Sequence, residues 1–478
     1  MAVLGPRAMA GLGPMTEKAL ARLGTLGLIE RGLVSGLRLH RLVAAFSREQ
    51  CTDAAVRTAV EEALLAWAIK RGSEFALGPL IAMQAHLRYA VDAAATRKDE
   101  LAYRLCTVLG DHWMRLGGFA NAQECYERAV EACRVWGDST EMVGALNRLG
   151  LALKEQGLAR QAVAFFGKAM RLDADSVQSL NNMGFVLKDR GKYKDAGRCF
   201  ATALKTLTRI HGQKHEQVIV CLNNLGLLHK DSGNKEVARK LFIKAVNLSK
   251  AVFGPQGAGM VPSLTSMAFW FKDMGRFQSA QTHFEAALKI TRDSKGEGHP
   301  NNVAPLQNLA FLLLDRAMTE HGSGRARENR FDRAQELAEQ ALSLVRSAYP
   351  DLHPRTADAL DSFAELLYRR RRFTLAQQHL EHALEIRLSV LGEGHFDTAR
   401  NLSQLGRVWL RQVDEIGVHA AVKAIPYLER AIEVFKRMSL APHQHELQAA
   451  LDLLEQARRP QPMSAYEIMA MTMQATSG

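Results

Sequence analysis

A helix-pair motif that recurs eight times constrains the fold of this chain more than any other feature. A small residue marks each copy, and successive copies lie 40, 34, 42, 42, 42, 54 and 42 residues apart. In the first five copies an alanine follows twelve positions later and another nineteen positions later, with an aromatic residue between them. A period of this size is typical of a solenoid, in which each repeat packs on its neighbours. The small residues are Gly110, Gly150, Gly184, Gly226, Ala268, Ala310, Ala364 and Gly406.

The third copy shows why the pattern predicts two packed helices. Leu180 and Leu187 belong to one apolar stripe at helical spacing, and Gly191 then interrupts the pattern. Ala196 and Ala203 lie on one face of a second helix. Because two helices approach closely only where the side chains between them are small, the alanines predict a tightly packed helix pair in each copy.

The step of 54 residues between Ala310 and Ala364 predicts an insertion. It exceeds the common period by twelve residues, and the excess lies within the polar stretch 316–330, which contains His321-Gly-Ser-Gly324. We expect a loop there, at the turn inside the sixth copy. A smaller insertion, near residues 414–419, precedes the alanine pair of the last copy. Insertions confined to turns are compatible with a solenoid.

These repeats resemble the tetratricopeptide repeat family over about residues 100–438. The strings Leu180–Gly184 and Leu222–Gly226, and the segment Gly296–Pro300 between copies, are similar to the 42-residue, kinesin-light-chain-like subtype. The resemblance implies an all-α, right-handed superhelical solenoid of about eight helix pairs. It also implies a non-catalytic scaffold that binds an extended peptide or a partner helix in its concave groove.

The N-terminal segment differs from the repeats. Residues 16–30 have the pattern of an amphipathic helix, and an extended piece is expected at 36–39, followed by Arg38-Leu-His-Arg-Leu-Val43. This order of a helix, a hairpin and the Arg-Leu-His-Arg-Leu-Val string resembles the end of the winged-helix region in bacterial NB-ARC-type signalling NTPases. The resemblance implies an alternative function, the sensor portion of such a signalling system. The sequence contains no G-x-x-x-x-G-K-[ST] phosphate loop, so the NTPase would be a separate module.

The expected domain organisation follows from these two patterns. It comprises a partial winged-helix-like segment (1–50), connecting helices (51–98), the repeat solenoid (99–438), a C-terminal capping helix (439–459) and a mobile tail (460–478).

Composition excludes several other function classes. The net charge of +12 is spread along the repeats, which disfavours nucleic-acid binding. The basic run Arg369–Arg372 is interpreted as a solvated turn rather than a nuclear-import or phosphate-binding patch. Six cysteines without C-x-x-C spacing predict buried, reduced thiols and a cytoplasmic protein. No apolar run is long enough to span a membrane. No catalytic motif, metal site or cofactor site is predicted. Because the N-terminal segment has few acidic residues, a transit peptide stays an open alternative there.

Helical geometry predicts which residues contact a ligand. At 100° per residue from the small residue of each first helix, positions −2, +1 and +5 point away from the apolar stripe, and +4 lies beside them. In the family that the chain resembles, this side lines the concave groove. The predicted contacts are Asn182, Asn224 and Asn308 at −2, Phe185, Phe269 and Phe311 at +1, Lys154, Lys188, Lys230 and Lys272 at +4, and Asp189, Asp231 and Asp273 at +5.

The chemistry of these side chains indicates a protein or peptide partner. Asparagine amides can hydrogen-bond the backbone of an extended peptide, although inter-repeat bonds could account for part of their recurrence. Two interpretations of the lysines stay open: they bind acidic groups of a ligand, or they pair with acids of the same or the adjacent helix. The aspartates beside them make single-stranded nucleic acid an unfavourable ligand.

Overall fold

The computed structural model describes residues 3–4, 29–31, 37–39, 54–72, 78–94, 96–137, 139–319, 324–412, 418–438 and 444–459. The chain forms two compact units. The first comprises residues 1–113 and 124–138, and the second comprises residues 114–123 and 139–478.

The first unit contains a small antiparallel sheet. Its strands are β1 (Val3–Leu4), β2 (Ile29–Arg31) and β3 (Leu37–Leu39), in the order β1-β3-β2. Ile29 lies opposite Leu39, so β2 and β3 pair as a hairpin where the sequence predicted an extended piece. The predicted helix over 16–30 is wrong at its end, because β-branched Ile29 and its neighbours pair in this ladder. Residues 16–28 lie outside the described residues.

Nineteen α-helices account for most of the described chain. Helices α1 (Ala54–Gly72) and α2 (Gly78–Ala94) precede the repeats. The eight repeats are the pairs α3–α4 to α17–α18, and α19 follows them. Their bounds are α3 (Glu100–Leu116), α4 (Phe119–Trp136), α5 (Ser139–Glu155), α6 (Ala159–Leu172), α7 (Val177–Asp189), α8 (Tyr193–His211), α9 (Glu216–Asp231), α10 (Lys235–Phe253), α11 (Val261–Asp273), α12 (Phe277–Lys295), α13 (Val303–Thr319), α14 (Gly324–Ala348), α15 (Pro354–Arg369), α16 (Phe373–Val390), α17 (Phe396–Arg411), α18 (Val418–Met438) and α19 (Gln444–Arg458).

The packing inside each pair confirms the predicted all-α solenoid. The alanines at the two repeated positions of the second helices are buried in every copy, and the aromatic residue between them is fully buried in copies two to five. The small residue of the first helix faces this ring: a Cβ added to Gly226 would overlap Phe242. Small residue and aromatic ring therefore fit together, which lets the two helices approach closely.

Replacing Ala203 with leucine is expected to lower the free energy of unfolding by about 1–3 kcal/mol, because the added methylenes would overpack a fully buried site. Ala201→Leu, two residues earlier on the same helix at an exposed position, is the matched control. Urea denaturation followed by circular dichroism measures both variants. Equal stability of the two would contradict the packing described here.

The insertion in the sixth copy is helical rather than a loop. Helix α13 continues to Thr319 and α14 already begins at Gly324, so only residues 320–323 lie outside the described elements. The predicted loop over 316–330 is therefore wrong for most of its length. The reason is composition, because alanine, arginine and glutamate predominate in residues 325–330 and all three favour helix. The inserted residues lengthen the helix pair.

Two hydrogen bonds connect late residues of the second unit to its first helices. His353 precedes α15, and its Nε2 lies 2.8 Å from the backbone oxygen of Arg115. His395 precedes α17, and its Nε2 lies 2.9 Å from the backbone oxygen of Glu155. Both contacts join copies that are six apart along the chain. They are direct hydrogen bonds between distant parts of one unit.

Candidate binding face of the first helices

The predicted ligand contacts lie on consecutive first helices. We use the name first-helix face for the surface formed by positions −2, +1, +4 and +5 of α5, α7, α9, α11 and α13. Helix α5 packs against α7, and α9 packs against α11, so side chains at these positions can meet across copies. The structure thus shows which of the predicted contacts are already used within the chain.

The lysines of this face pair with acidic residues of the chain. From Lys188 onward, each lysine at +4 reaches the aspartate at +5 of the following copy, so these pairs connect successive first helices. Of the two interpretations left open by the sequence, the structure shows pairing within the chain. The distances are 3.0 Å for Lys188–Asp231, 3.0 Å for Lys230–Asp273 and 2.6 Å for Lys272–Asp315, while Lys154 lies 3.0 Å from its neighbour Glu155, and Asp189 is 3.5 Å from Lys188.

The phenylalanines at +1 are half-buried and contact aromatic rings of the second helices. Phe185 packs edge-on against Phe200 with ring centroids 5.4 Å apart, and Phe269 packs in the same way against Phe284 at 5.2 Å. Phe311 is also half-buried. Their main contacts are therefore with the core, and only part of each ring faces outward.

The asparagines at −2 retain hydrogen-bonding capacity. The Nδ2 atoms of Asn182 and Asn224 are buried without a hydrogen-bond partner. Half-buried Asn308 lines a cavity. An unpaired buried amide costs about 1–3 kcal/mol, so rotation of the side chain toward a ligand would be favoured once a partner is present. These residues are the unused polar groups of the face.

A second row of polar residues, which was not predicted from the sequence, also joins the first helices. It begins at position −3, one residue before the asparagines at −2. The residue at −3 bonds the residue at −5 of the next copy. The inter-repeat hydrogen bonds considered for the −2 asparagines thus belong mainly to this row. The recurrence of asparagine at −3 in copies two to four could have revealed it. The bonds are Asn147–Ser179 (2.8 Å), Cys221–Asn181 (3.7 Å), Asn223–Ser263 (3.0 Å) and Asn401–Asp361 (3.0 Å).

This row is interrupted around the sixth copy, where a cavity lies. Position −3 is Thr265 in the fifth copy and Gln307 in the sixth, but position −5 of the copy that follows each is apolar, Pro305 and Ala359. Neither polar side chain therefore has the polar counterpart that is present in the four bonds of this row. A cavity of about 490 Å³ is lined by all four of these residues and by Asn308. Polar groups and apolar wall atoms share one recess, which is the composition expected of a binding site.

Two of the four arginines in the basic run pair with acids of the chain. Arg369 contacts Asp315 at 2.6 Å, and Arg370 contacts Glu328 and Asp332 at 2.8 and 2.9 Å. Arg371 has a positive φ of 61°, at the turn where other copies have glycine. Arg369 and Arg370 therefore serve contacts between helices instead of forming a free basic patch.

The cysteines within the described residues carry thiols and are not joined in disulfides. Cys106, Cys125, Cys133 and Cys221 are buried, and Cys199 is half-buried. Burial raises the pKa of Cys106 to about 11 and that of Cys221 to about 11. These two thiols are therefore protonated at neutral pH and weakly nucleophilic.

Two further properties concern only the part of the chain that the structure describes. None of its helices is both long enough and apolar enough to cross a membrane. Within the same residues, histidine, cysteine, aspartate and glutamate side chains do not gather in groups of three that could bind a metal ion.

Comparison with known proteins finds a family match for parts of the repeat region. Two family models described as tetratricopeptide repeat match the chain, one over residues 175–251, 314–389 and 355–416 and the other over 143–176. A search of curated proteins finds no match.

Several solved structures are similar. A putative kinesin light chain of Podosopora anserina with nearly identical TPR-like repeats is 16% identical, with 45% of this chain and 96% of that chain covered and a TM-score of 0.35. A variant of that protein with one substitution has the same identity and coverage and a TM-score of 0.36. BtubC (BKLC) of P. vanneervenii is 16% identical, with 50% and 91% covered and a TM-score of 0.36.

Proposed function

Because the chain carries tetratricopeptide repeats, we propose that it is a non-catalytic scaffold whose first-helix face is a concave groove for an extended peptide or a partner helix. Repeats of this kind mediate contacts between proteins, and the partner is a protein or peptide of the cytoplasm. One observation supports the choice of residues. Lys188, Lys230 and Lys272 of the face are paired with aspartates, whereas the buried Nδ2 atoms of Asn182 and Asn224 at −2 have no hydrogen-bond partner.

The asparagines are the proposed recognition groups. A peptide backbone presents one N–H and one C=O per residue, and an asparagine amide can satisfy both. The cavity beside Asn308 adds Thr265 and Gln307 as further polar contacts and supplies apolar walls for a side chain. The lysine–aspartate pairs hold neighbouring first helices together and contribute little direct affinity.

Replacing Asn182, Asn224 and Asn308 together with alanine should weaken partner binding by roughly 100-fold, since each lost hydrogen bond contributes about 1 kcal/mol. The full chain and this variant are used to capture proteins from a native lysate, which mass spectrometry identifies. Titration calorimetry with the identified partner segment then gives both dissociation constants.

The matched control replaces Lys188, Lys230 and Lys272 together with glutamine. Because these lysines are paired within the chain, we expect at most a severalfold change in affinity. Unchanged affinity of the asparagine variant would move recognition away from the first-helix face. A larger loss from the lysine variant would reverse the assignment of roles.

The second candidate function is the sensor portion of an NB-ARC-type signalling system. The hairpin of β2 and β3 favours it, because the resemblance places a hairpin in this segment. The test is co-purification of the full chain with separately encoded proteins that contain a phosphate loop. Capture that requires residues 1–98 supports the sensor function, and capture without them contradicts it.

A further inference from the structure

We propose that His353 and His395 form a latch that joins one superhelical turn of the second unit to the next, and that opening of this latch admits a partner segment to the groove. The entry of a partner segment rests on the proposed function. The latch does not depend on that function, because it is formed by contacts within the second unit.

The hydrogen bonds define the tautomer of each histidine. Nδ1 of His353 accepts the backbone N–H of Arg355 at 3.0 Å, and Nδ1 of His395 accepts that of Asp397 at 3.1 Å. The ring proton of the neutral imidazole is then on Nε2, which donates to the distant carbonyl. Those carbonyls belong to Arg115 and Glu155, in the last turns of α3 and α5, where helix carbonyls lack an intrahelical partner. Each latch bond therefore satisfies groups on both sides.

The same histidine cap occurs without the distant bond. His215 precedes α9 and accepts the N–H of Gln217 at 3.3 Å, but its Nε2 has no hydrogen bond to a described residue. His353 and His395 are only 4% and 8% exposed, whereas His215 is half-buried. Burial lowers the pKa of the His353 imidazole below its ordinary value of 6.5, which keeps the ring neutral at pH 7. The cap is thus a feature of several repeats, and the distant bond is an addition to it.

The backbone on the opposite side is shaped for this contact. Gly117, in the turn after α3, has a φ of +77°, and a Cβ added to it would overlap the ring of Pro354. Glycine therefore permits both the turn and the close approach. Gly191 has a similar φ of +69° in an equivalent turn, but a Cβ there would meet nothing within 4 Å.

The latch is small compared with the interfaces between consecutive copies. Its contacts include two hydrogen bonds and the approach of Pro354 to Gly117, whereas each helix pair buries alanines and large apolar side chains. Contacts that rest on a few hydrogen bonds open at a lower free energy than the global unfolding of the chain. The two turns can therefore part while every helix pair stays folded.

The test compares full-length H353A/H395A with H215A, which removes the same cap without a distant bond. Small-angle X-ray scattering should give a larger maximum dimension for the double variant only. Hydrogen exchange in residues 114–118 should accelerate on the order of tenfold in the double variant only. If the double variant matches H215A in both measurements, the latch is wrong.

A second pair of variants keeps the test valid if the double variant does not fold. In G117A the added methyl group would overlap Pro354 and disrupt the contact. G191A imposes similar backbone strain, but its methyl group would meet nothing within 4 Å. Faster exchange in residues 350–358 in G117A, but not in G191A, supports the latch, and equal exchange in both overturns it. No partner is used in these measurements, so their outcome is separate from that of the asparagine variant.

Discussion

Replacing Asp361 with alanine is expected to lower the free energy of unfolding by about 3–5 kcal/mol, because it leaves a buried arginine without its buried counter-ion. Asp361 on α15 lies 2.6 Å from Arg387 on α16, whose side chain is 1% exposed. Burial raises the pKa of Asp361 to about 6 although Arg387 opposes the rise, so the pair is charged at pH 7. Urea denaturation of the full chain measures the loss.

Asp358 supplies the control. It also contacts Arg387, at 3.1 Å, but its side chain is 53% exposed, so Asp358→Ala should cost less than about 1 kcal/mol. The double variant D361L/R387M, which removes both charges, should recover most of the loss. A cost for Asp361→Ala no larger than that for Asp358→Ala would contradict a buried charge pair at this junction.

Replacing Phe242 with alanine should cost a similar amount, about 3–5 kcal/mol, because it empties a fully buried ring site. The ring packs on Gly226 within its own pair and on Met267 and Trp270 of the next copy. The cavity thus weakens two interfaces at once. Ile243→Ala, the next residue on the same helix and 38% exposed, should cost much less. Denaturation monitored by circular dichroism compares the two.

A double-mutant cycle tests the fit between ring and glycine. Gly226→Ala should be strongly destabilising in the wild-type chain, because its Cβ would overlap Phe242. In the Phe242→Leu background the same change should be milder by about 0.5–3 kcal/mol. Additive effects would show that packing of the Phe242 ring does not require a small residue at position 226.

The helix pairs were predictable because their determinants are local. A glycine, an aromatic residue and two alanines at fixed spacing specify how one helix packs on the next. In the third copy the interruption predicted at Gly191 lies between α7 and α8. The helical insertion was not predicted because its polar residues were interpreted by their Gly-Ser-Gly motif. The arginine, alanine and glutamate residues that follow instead extend α14.

The interactions of the predicted site residues could be predicted only in part. Each lysine was placed on the correct helix, but its pairing depends on the angle between copies, which brings Lys230 within 3.0 Å of Asp273. The sequence pattern also could not predict the contact between His353 and the carbonyl of Arg115, for a related reason. Small rotations from one copy to the next accumulate along a solenoid, and no single repeat encodes their sum.

The histidine contacts also bear on how many repeats the chain can have. An open solenoid can gain or lose a whole repeat and keep its interfaces, since each repeat touches only the next. Here the carbonyls of Arg115 and Glu155 each meet a histidine six copies later along the chain. One duplicated copy between residues 156 and 352 would bring a different loop opposite each carbonyl. Copy number in this segment is therefore constrained in the way that subunit number is constrained in a closed oligomer.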